Sequence, residues 1–334
     1  MSRPRVVFMG TPAFAVPALR AIAAACEVVA VVTRPDRPRG RGRTAAPSEV
    51  ADAAGSLGLE VLKPERLHDP KVRERLASLD ADLFAVVAFG EILSRELLGL
   101  PRLGSINLHA SLLPALRGAS PVQRALWEGR VGTGVTTLWM DEGIDTGDMI
   151  LQRWSPIEPA DTAGTLAARL ADEGAPLLAE SLLLAHRGHA PRVSQDRDAG
   201  SYAPRLAKAD GVVDWSLDVE TVWSHQRAVT PWPGAIARLH GTALRLVQTS
   251  PHHRLPARAA AGTVTGSERD GLTVACGHGV LLVRRVQAEG RTEMDAAAWA
   301  RGARIATGDR FEAPEEAGPN LGTESAAQRK QVGA

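Results

Sequence analysis

The N-terminal part of the chain predicts a strand, a helix and a second strand, and this unit constrains the fold more than any other feature. Arg5–Met9 is rich in β-branched residues, Ala13–Ala25 has a helical, alanine-rich pattern, and Glu27–Thr33 is again strand-like. Strands joined by such a helix lie parallel with a right-handed crossover. Asp82–Ala88 and Ser105–Leu108 predict further strands, the first of them covered on both faces. The sequence therefore predicts a Rossmann-like, mostly parallel α/β sheet.

The second half of the chain predicts a different architecture. Short strands broken by Gly and Pro follow one another at Ala235–His240, Ala243–Thr249, Leu272–Cys276 and Val280–Gln287. Regular short strands with turn signals favour a small OB-like β-barrel. We therefore expect an α/β domain over residues 1–189, a linker over 190–205 and the barrel over 206–311. Residues 312–334 have few bulky apolar side chains, so we expect a disordered tail.

Composition excludes several classes of site but does not identify a partner. The 334 residues carry a net charge of only +1, so overall charge says little about binding. Cys26 and Cys276 are far apart and show no metal-ligand spacing, which predicts reduced, partly buried thiols and no metal. Gly10-Thr11-Pro12 lacks the second and third glycines of a dinucleotide fingerprint. We therefore expect no nucleotide cofactor.

The N-terminal sequence superficially resembles a secretory or lipoprotein signal. Arg3 and Arg5 precede an apolar run that ends in AAAC, but Gly10, Pro12 and Pro17 interrupt it. Those interruptions favour the strand, loop and helix described above. No stretch of the sequence approaches the ~20 apolar residues needed to span a bilayer. We therefore expect a cytoplasmic protein that does not bind membranes.

The segment SINLHASLLPALRG at Ser105–Gly118 carries the strongest chemical signal. Asn107 and His109 are two residues apart on a predicted strand, so their side chains lie on one face. Asp145 follows in the loop DEGIDTGD. Asn can stabilise an oxyanion, His can transfer a proton, and Asp can orient the imidazole. Taken alone, the Asn-x-His pair could be a hydrogen-bonded strand end and the Asp145 loop a hairpin turn. Together they favour attack on a carbonyl without a covalent enzyme nucleophile.

These motifs resemble those of the formyltransferases that use 10-formyltetrahydrofolate. The resemblance implies that Asn107, His109 and Asp145 are catalytic and that 10-formyltetrahydrofolate is the co-substrate. It also implies a folate site formed by the turn after the catalytic strand and by two backbone segments, comprising Ser111, Leu112, Leu113, Pro114, Phe89, Gly90 and Gly143. Glu91 departs from the family pattern at the edge of this site, where an apolar or small residue is common.

A loop rich in arginine indicates which branch of the family the chain resembles. The sequence RPDRPRGRGR contains five guanidinium groups, at Arg34, Arg37, Arg39, Arg41 and Arg43. Such a loop is usually a solvated surface, but arginine also makes bidentate phosphate contacts. The loop, the segment ASPVQRAL and the motif TPWPGA resemble the branch that formylates initiator methionyl-tRNA. The resemblance thus implies a tRNA partner, bound by these arginines and by the barrel, and we expect a monomer.

Two other functions remain open at this point. A formyltransferase that acts on a UDP-amino sugar would share the Asn107, His109 and Asp145 constellation but would not need the arginine loop. A non-catalytic RNA-binding protein would use the arginines and the barrel and leave those three residues without a role.

Overall fold

The computed structural model describes residues 3–39, 44–196, 198–252 and 259–312. Up to residue 204 the strands are β1 (Arg5–Gly10), β2 (Glu27–Val32), β3 (Arg37–Arg39), β4 (Thr44–Ala46), β5 (Val61–Leu62), β6 (Leu83–Val87), β7 (Gly104–His109), β8 (Gly132–Trp139) and β9 (Met149–Pro156). The helices are α1 (Val16–Ala25), α2 (Glu49–Ser56), α3 (Pro70–Ala77), α4 (Arg95–Leu98), α5 (Pro121–Trp127) and α6 (Ala163–His186). The strands and the first helix predicted from the N-terminal sequence are all present.

Seven strands form one sheet in the order β5-β2-β1-β6-β7-β8-β9. The pairs from β5 to β7 are parallel, whereas β8 and β9 are antiparallel. The chain passes from β1 to β2 on one side and later returns to β6 on the other. Ligands of open α/β sheets bind beyond the carboxyl ends of strands at such a switch point. Loops at 10–12 and 88–92 meet there, since the Thr11 hydroxyl donates to the carbonyl of Phe89 at 3.3 Å. The predicted mostly parallel sheet is confirmed.

Apolar β-branched and leucine side chains explain why the strands are buried. β6 is buried at all five positions, which agrees with the run of apolar residues in its sequence. Polar side chains cap two of the helices: Ser48 accepts from the amide of Ala51 at 3.0 Å, and Asp69 accepts from that of Lys71 at 2.8 Å. Both helices therefore begin where a side chain replaces a missing backbone partner.

The hairpin formed by β8 and β9 delivers a loop to the face of the sheet. β8 ends at Trp139, which pairs with Ile106 of β7. His109, the last residue of β7, pairs with Thr136 of β8. The loop at 140–148 therefore begins three residues short of the end of β7. The loop then turns back toward the end of β7, as shown by the contacts of the Asp145 carboxylate with Asn107 and His109. The loop that connects the two strands of this hairpin therefore carries Asp145.

An antiparallel sheet with flanking helices follows. Its strands are β10 (Ala235–Leu239), β11 (Thr242–Pro251), β12 (Val264–Glu268), β13 (Gly271–Ala275), β14 (Val280–Ala288) and β15 (Met294–Asp295), and its helices are α7 (Val219–Ala228) and α8 (Ala296–Ala303). The strand order is β10-β11-β14-β13-β12, with β15 paired to β14. Buried apolar side chains from the sheet and both helices form its core, including Trp215, Leu244 and Trp299. The second fold predicted from short strands is thus an antiparallel β unit.

Contacts among the described residues divide the chain into two compact units. The first unit is drawn from Met1–Val122, Gly132–Ile157 and Thr165–Pro204, and the second from Gln123–Val131, Glu158–Gly164 and Arg205–Ala334. The second unit therefore includes two segments that precede most of its sequence. The tail predicted over 312–334 lies, apart from its first residue, outside the described residues.

Several smaller predictions concern individual side chains. Cys26 and Cys276 are free and buried. Trp215 is buried, whereas Trp232 is 53% exposed. Trp232 belongs to a Thr-Pro-Trp-Pro-Gly turn, and a turn places its middle residue at the surface. Among the described residues, none of the helices combines the length and the apolar character needed to cross a bilayer.

Candidate active site

The last strand of the parallel part of the first sheet, β7, presents Asn107 and His109 on one face. The two residues alternate with buried Ile106 and Leu108, which point to the other face. His109 is buried, whereas Asn107 is only partly so. Strand alternation alone thus places an amide and an imidazole side by side, as the sequence predicts.

Asp145 joins these two side chains through its carboxylate. Asn107 Nδ2 donates to Asp145 Oδ1 at 3.1 Å, and His109 Nδ1 lies 3.4 Å from Asp145 Oδ2. The backbone amide of Gly118 also donates to Oδ2, at 2.8 Å. Asp145 has φ of +55°, in the left-handed region that Asp tolerates better than most residues. The structure therefore brings the three predicted catalytic residues together around one carboxylate.

The second nitrogen of His109 also faces an oxygen. Nε2 lies 2.9 Å from the carbonyl oxygen of Leu116, which can only accept. Both ring nitrogens thus lie beside acceptors. The amide of Asn107, which has a second N–H available, is suited to stabilising negative charge on a carbonyl oxygen.

The turn Ser111–Pro114, predicted to border the folate, is held to the β8–β9 hairpin by hydrogen bonds. Thr136 Oγ1 donates to the carbonyl of Ser111 at 2.7 Å and accepts from the amide of Leu113 at 3.1 Å. Gln152 Nε2 donates to the carbonyl of Leu113 at 2.8 Å. The side chains of Ser111 and Leu113 are buried, whereas those of Leu112 and Pro114 are partly exposed. Leu112 and Pro114 are therefore the members of this turn that can contact a ligand directly.

The other predicted folate contacts offer backbone rather than side chains. Gly90 is exposed with φ of +82°, directly after Phe89, whose side chain is buried. Gly143 is exposed in the 140–148 loop, and its amide donates to Asp141 Oδ1 at 3.0 Å. The carbonyl of Phe89 already accepts from Thr11. Gly90 thus presents exposed backbone near the switch point, beside the Arg34 guanidinium, while Gly143 is held by its own loop.

The arginine loop is described only in part. β3 pairs with β4 in antiparallel register, with Arg37 opposite Ala46 and Arg39 opposite Thr44. The side chain of Arg37 is exposed. Arg41 and Arg43 lie outside the described residues. Arg34 lies beside the loop at 88–92, since its Nε is 3.7 Å from Glu91 Oε1. Glu91, which departs from the family pattern, therefore has a partner in Arg34.

Sequence reasoning missed Gln195, which contacts the Asp145 loop, and Arg117, which contacts Gln195. Gln195 donates through Nε2 to the carbonyl oxygens of Asp145 and Gly147, and Arg117 donates twice to Gln195 Oε1. Arg117 stands within the SLLPALRG motif, which could have marked it. Gln195 lies in the segment predicted to be a linker and carries no comparable signal. Among the described residues, no cluster of three or more His, Cys, Asp or Glu side chains could bind a metal ion.

The fold and the site together define a class of protein. A mostly parallel α/β sheet carries an adjoining amide, imidazole and carboxylate near its carboxyl edge, and an antiparallel unit follows. This combination is suited to an enzyme that transfers an acyl group through an oxyanion. The chain belongs to the formyl transferase family: residues 5–182 match the formyl transferase domain and residues 205–304 match the formyl transferase C-terminal domain. The expected family is thus confirmed.

Curated relatives are similar over almost their whole length. The chain is 46% identical over 313 residues to the methionyl-tRNA formyltransferase of Symbiobacterium thermophilum, covering 93% of this chain and 96% of that protein. It is 44% identical over 309 residues to the enzyme of the same name from Moorella thermoacetica, covering 91% and 98%.

Solved structures of more distant proteins share the fold. An N-formyltransferase from Helicobacter canadensis, in complex with folinic acid and dTDP-3-aminofucose, superposes with a TM-score of 0.61 at 17% identity, covering 85% of this chain and 99% of that one. HypX from Aquifex aeolicus, in complex with tetrahydrofolic acid, also gives a TM-score of 0.61 at 17% identity, covering 92% and 48%. At these identities the likeness concerns the fold alone.

Proposed function

We propose that this protein transfers the formyl group of 10-formyltetrahydrofolate to the α-amino group of methionine on initiator tRNA. The observation that carries the proposal is the 46% identity to a methionyl-tRNA formyltransferase, which extends over 93% of this chain and 96% of the relative. A relative that matched only the first domain would not indicate which molecule accepts the formyl group. Here both family domains are present, at residues 5–182 and 205–304. The product would be formylmethionyl-tRNA for translation initiation.

Asn107, His109 and Asp145 are proposed as the catalytic residues. Asp145 accepts one of the two amide hydrogens of Asn107, so the other can donate to the formyl oxygen as negative charge develops there. His109 is the group proposed to transfer a proton as the leaving nitrogen departs. Asp145 Oδ2 lies 3.4 Å from His109 Nδ1, where it can orient the ring. The attacking amine must be neutral, and an α-amino group titrates near ~7.7–8.0, so it is available close to neutral pH.

The residues around the turn after β7 fit a reduced folate. Leu112 and Pro114 offer partly exposed apolar surface, and Gly90 offers exposed backbone at the end of the neighbouring parallel strand. A pterin ring needs both kinds of contact, apolar on its faces and hydrogen-bonding at its edges. We propose that Ser111–Pro114, Phe89, Gly90 and Gly143 border the folate. Bound 10-formyltetrahydrofolate would supply the formyl group.

The tRNA contacts are proposed to come from both parts of the chain. Arg34, Arg37, Arg39, Arg41 and Arg43 lie in the first domain, which we place at residues 1–189. Residues 206–311 carry thirteen Lys or Arg against ten Asp or Glu, an excess that favours a polyanion modestly. We further propose that the protein acts in the cytoplasm as a monomer, which sedimentation at micromolar concentration would test.

Parallel assays with alternative acceptors test the proposed function. The protein is incubated with 10-formyltetrahydrofolate and, separately, initiator methionyl-tRNA, elongator methionyl-tRNA, a UDP-amino sugar or glycinamide ribonucleotide. We expect rapid formylation of initiator methionyl-tRNA alone, with uncharged initiator tRNA as the matched negative control. Formylation of the sugar at a higher kcat/KM would overturn the proposal in favour of a sugar formyltransferase. Binding of tRNA with no transfer to any acceptor would instead indicate a non-catalytic RNA-binding protein.

A further inference from the structure

The segment between the two family domains is part of the first unit and packs against the candidate active site. We call residues 193–196 and 198–203 the return segment. Val193 exchanges two backbone hydrogen bonds with Met149, at 2.8 and 3.0 Å, at the start of β9. Further along, Arg117 exchanges two with Ser201 and Ala203, at 2.8 and 2.7 Å. The return segment is thus hydrogen-bonded at both ends to the two loops that form the site.

The return segment also explains a glycine of the SLLPALRG motif. Gly118 has φ of +106°, and a Cβ there would lie 2.6 Å from Tyr202 Cε2 and 2.8 Å from the carbonyl oxygen of Ala203. Any larger residue would therefore push Tyr202 away or move the backbone. The amide of Gly118 is one of the three donors around the Asp145 carboxylate. Gly118 thus contacts both the return segment and the carboxylate of Asp145.

Gln195 forms the most direct link from the return segment to Asp145. Its Nε2 lies 2.7 Å from the carbonyl oxygen of Asp145 and 2.8 Å from that of Gly147. Its Oε1 accepts from Arg117 Nε at 3.0 Å and from Arg117 Nη2 at 2.8 Å. Because a guanidinium can only donate, Arg117 determines which end of the Gln195 amide is the oxygen. The NH₂ group is therefore directed at the two carbonyls.

Asp145 needs this support because its backbone conformation is an uncommon one. A φ of +55° is disfavoured for residues with a Cβ, and such conformations persist where surrounding contacts determine them. The two carbonyls that Gln195 joins flank Thr146, so one amide closes the turn that carries the Asp145 side chain. Loss of that amide would leave the carboxylate free to move away from Asn107 and His109.

We propose that Gln195, oriented by Arg117, is a positioning residue for catalysis that acts through Asp145. It touches no reacting atom in this arrangement. Its contribution is to hold the Asp145 loop in the conformation that places the carboxylate 3.1 Å from Asn107 Nδ2 and 3.4 Å from His109 Nδ1. The inference rests on the proposed formyl transfer. Gln195 lies between the two stretches that match the family domains, residues 5–182 and 205–304, and belongs to neither of them.

Two substitutions separate positioning from simple anchoring of Arg117. Gln195→Glu keeps the acceptor for Arg117 but replaces the NH₂ donor with an oxygen that repels the two carbonyls. Gln195→Met removes both functions at similar size. We expect each to lower the single-turnover rate of formyl transfer by roughly 10- to 100-fold, since a shift of about 1 Å in a catalytic group can cost ~10² in rate. KM for methionyl-tRNA should change by less than about threefold.

The matched control is Ser194→Ala. Ser194 precedes Gln195 in the return segment, and its hydroxyl donates to Asp148 Oδ1 at 3.1 Å, so the control also loses one hydrogen bond to the same loop. Its rate should equal that of the unmodified protein. A Gln195→Glu protein that melts at the unmodified temperature and retains full rate would overturn the proposal, because anchoring of Arg117 would then suffice.

A double-mutant cycle tests whether Gln195 acts through Asp145. In an Asp145→Asn background, Gln195→Glu should lower the residual rate by less than about threefold, because the group it positions is already lost. Additive losses in the double variant would show that Gln195 acts elsewhere and would refute the proposal. If the unmodified protein fails to formylate methionyl-tRNA but formylates another acceptor, the cycle is run with that acceptor. The outcome for Gln195 is therefore separate from the identity of the substrate.

Discussion

At the scale of single residues, the carboxylate of Asp145 organises the candidate site. It accepts hydrogen bonds from Asn107 and from the amide of Gly118, and it faces the His109 ring. Each of those donors belongs to a different position along β7 and the turn that follows it. A neutral side chain of the same shape would keep the packing but lose the charge that stabilises a protonated imidazole.

Asp145→Asn is therefore expected to lower the rate of formyl transfer without loss of folate binding. A single lost electrostatic or general acid-base contribution typically costs ~10²–10³ in rate. Rates are measured under single-turnover conditions, and folate affinity by fluorescence quenching. Asp148→Asn, on the same loop and at the start of β9, is the matched control and should retain the rate. Near-normal turnover of the Asp145→Asn protein would remove Asp145 from the proposed mechanism.

The three proposed catalytic side chains illustrate what the sequence alone could predict about the site. Strand alternation is enough to place Asn107 and His109 on one face, and the family resemblance adds Asp145. Gln195 could not be predicted in this way, because its partners on the Asp145 loop are backbone carbonyls, which every residue carries. A polar residue in a segment without periodicity gives no signal of which loop it will bind.

Both cysteines are expected to be unreactive in the folded protein. Burial raises the pKa of Cys26 to about 11 and that of Cys276 to about 12. Only the thiolate is nucleophilic, so its fraction at pH 8 is small and access is blocked. Ellman's reagent should label neither thiol at pH 8 in the native protein and both after denaturation in urea. Rapid labelling of one thiol before urea is added would show that its surroundings open.

At the scale of elements, α7 carries two polar side chains into the second unit. His225 is buried, its Nε2 lies 2.6 Å from the carbonyl oxygen of Asp210, and its ring centroid is 4.5 Å from that of Trp127. Arg227 Cζ lies 4.0 Å from the ring centroid of Trp223. Asp218 begins the helix by accepting from the amide of Thr221 at 3.0 Å. The helix is thus fixed by its cap and by aromatic contacts as well as by apolar packing.

Burial of His225 predicts that the second unit loses stability in acid. Burial lowers the pKa of His225, and the carboxylates of Asp210 and Asp214 only partly oppose this. The unfolded chain therefore binds a proton near the ordinary pKa of ~6.5 while the folded chain does not. The contribution of neutral His225 to the free energy of unfolding is fully present above about pH 6.5. It is lost as the pH falls below that value, by at most about 1.4 kcal/mol per pH unit.

Urea unfolding at pH 7.5 and 5.5 measures this effect. Five of the seven tryptophans lie in the second unit, so their fluorescence reports mainly on it. His225→Gln keeps a donor toward Asp210 but cannot titrate, and it should lose less stability between the two pH values than the unmodified protein. Equal losses in both proteins would mean that His225 is protonated without cost in the folded state.

The strand β3 carries Arg37 and Arg39, two members of the arginine loop. Its register with β4 pairs Arg39 with Thr44. Arg34 stands apart from them, since it faces Glu91 at the edge of the proposed folate site. The arginines after Arg34 are therefore the stronger candidates for phosphate contact.

Replacement of Arg39, Arg41 and Arg43 together by Ala should weaken tRNA binding and reduce its salt dependence. Each lost contact to a single-stranded phosphate backbone lowers the slope of log K against log salt by ~0.7. The affinity for initiator tRNA is measured by filter binding from low to moderate salt. The control removes three exposed arginines from elsewhere in the first unit, Arg20, Arg66 and Arg73, and so has the same net charge. Identical slopes for the two triple variants would make the loop an ordinary solvated surface.

At the scale of the whole molecule, the sequence predicts the two folds but not how the chain is shared between them. The parallel and antiparallel sheets follow from runs of apolar residues and from turn signals. The segments 123–131 and 158–164 precede the predicted boundary, yet they pack with the second unit. The sequence around Trp127 does not identify its partner, which is the distant His225. The division at residues 189 and 206 remains a prediction.

A fragment that ends at Arg205 should separate folate chemistry from tRNA recognition. It retains the candidate site and the return segment but loses residues 206–311, whose net charge of +3 favours a polyanion. It also loses the partners of Trp127, because His225 and its neighbours are removed. We therefore expect the fragment to melt at a lower temperature than the full chain and to bind reduced folate when kept cold.

Formyl transfer by the fragment and by the full chain is compared at 10 °C with methionyl-tRNA well below saturation. The fragment should transfer the formyl group far more slowly, because kcat/KM contains the lost affinity for tRNA, whereas folate affinity should agree within about threefold. If the antiparallel unit contributes only affinity for tRNA, a higher tRNA concentration should reduce the difference in rate between the fragment and the full chain. Equal rates at low tRNA concentration would remove that unit from the mechanism. A gap that persists at saturating tRNA would indicate instead that the second unit orients the acceptor amine toward Asn107 and His109.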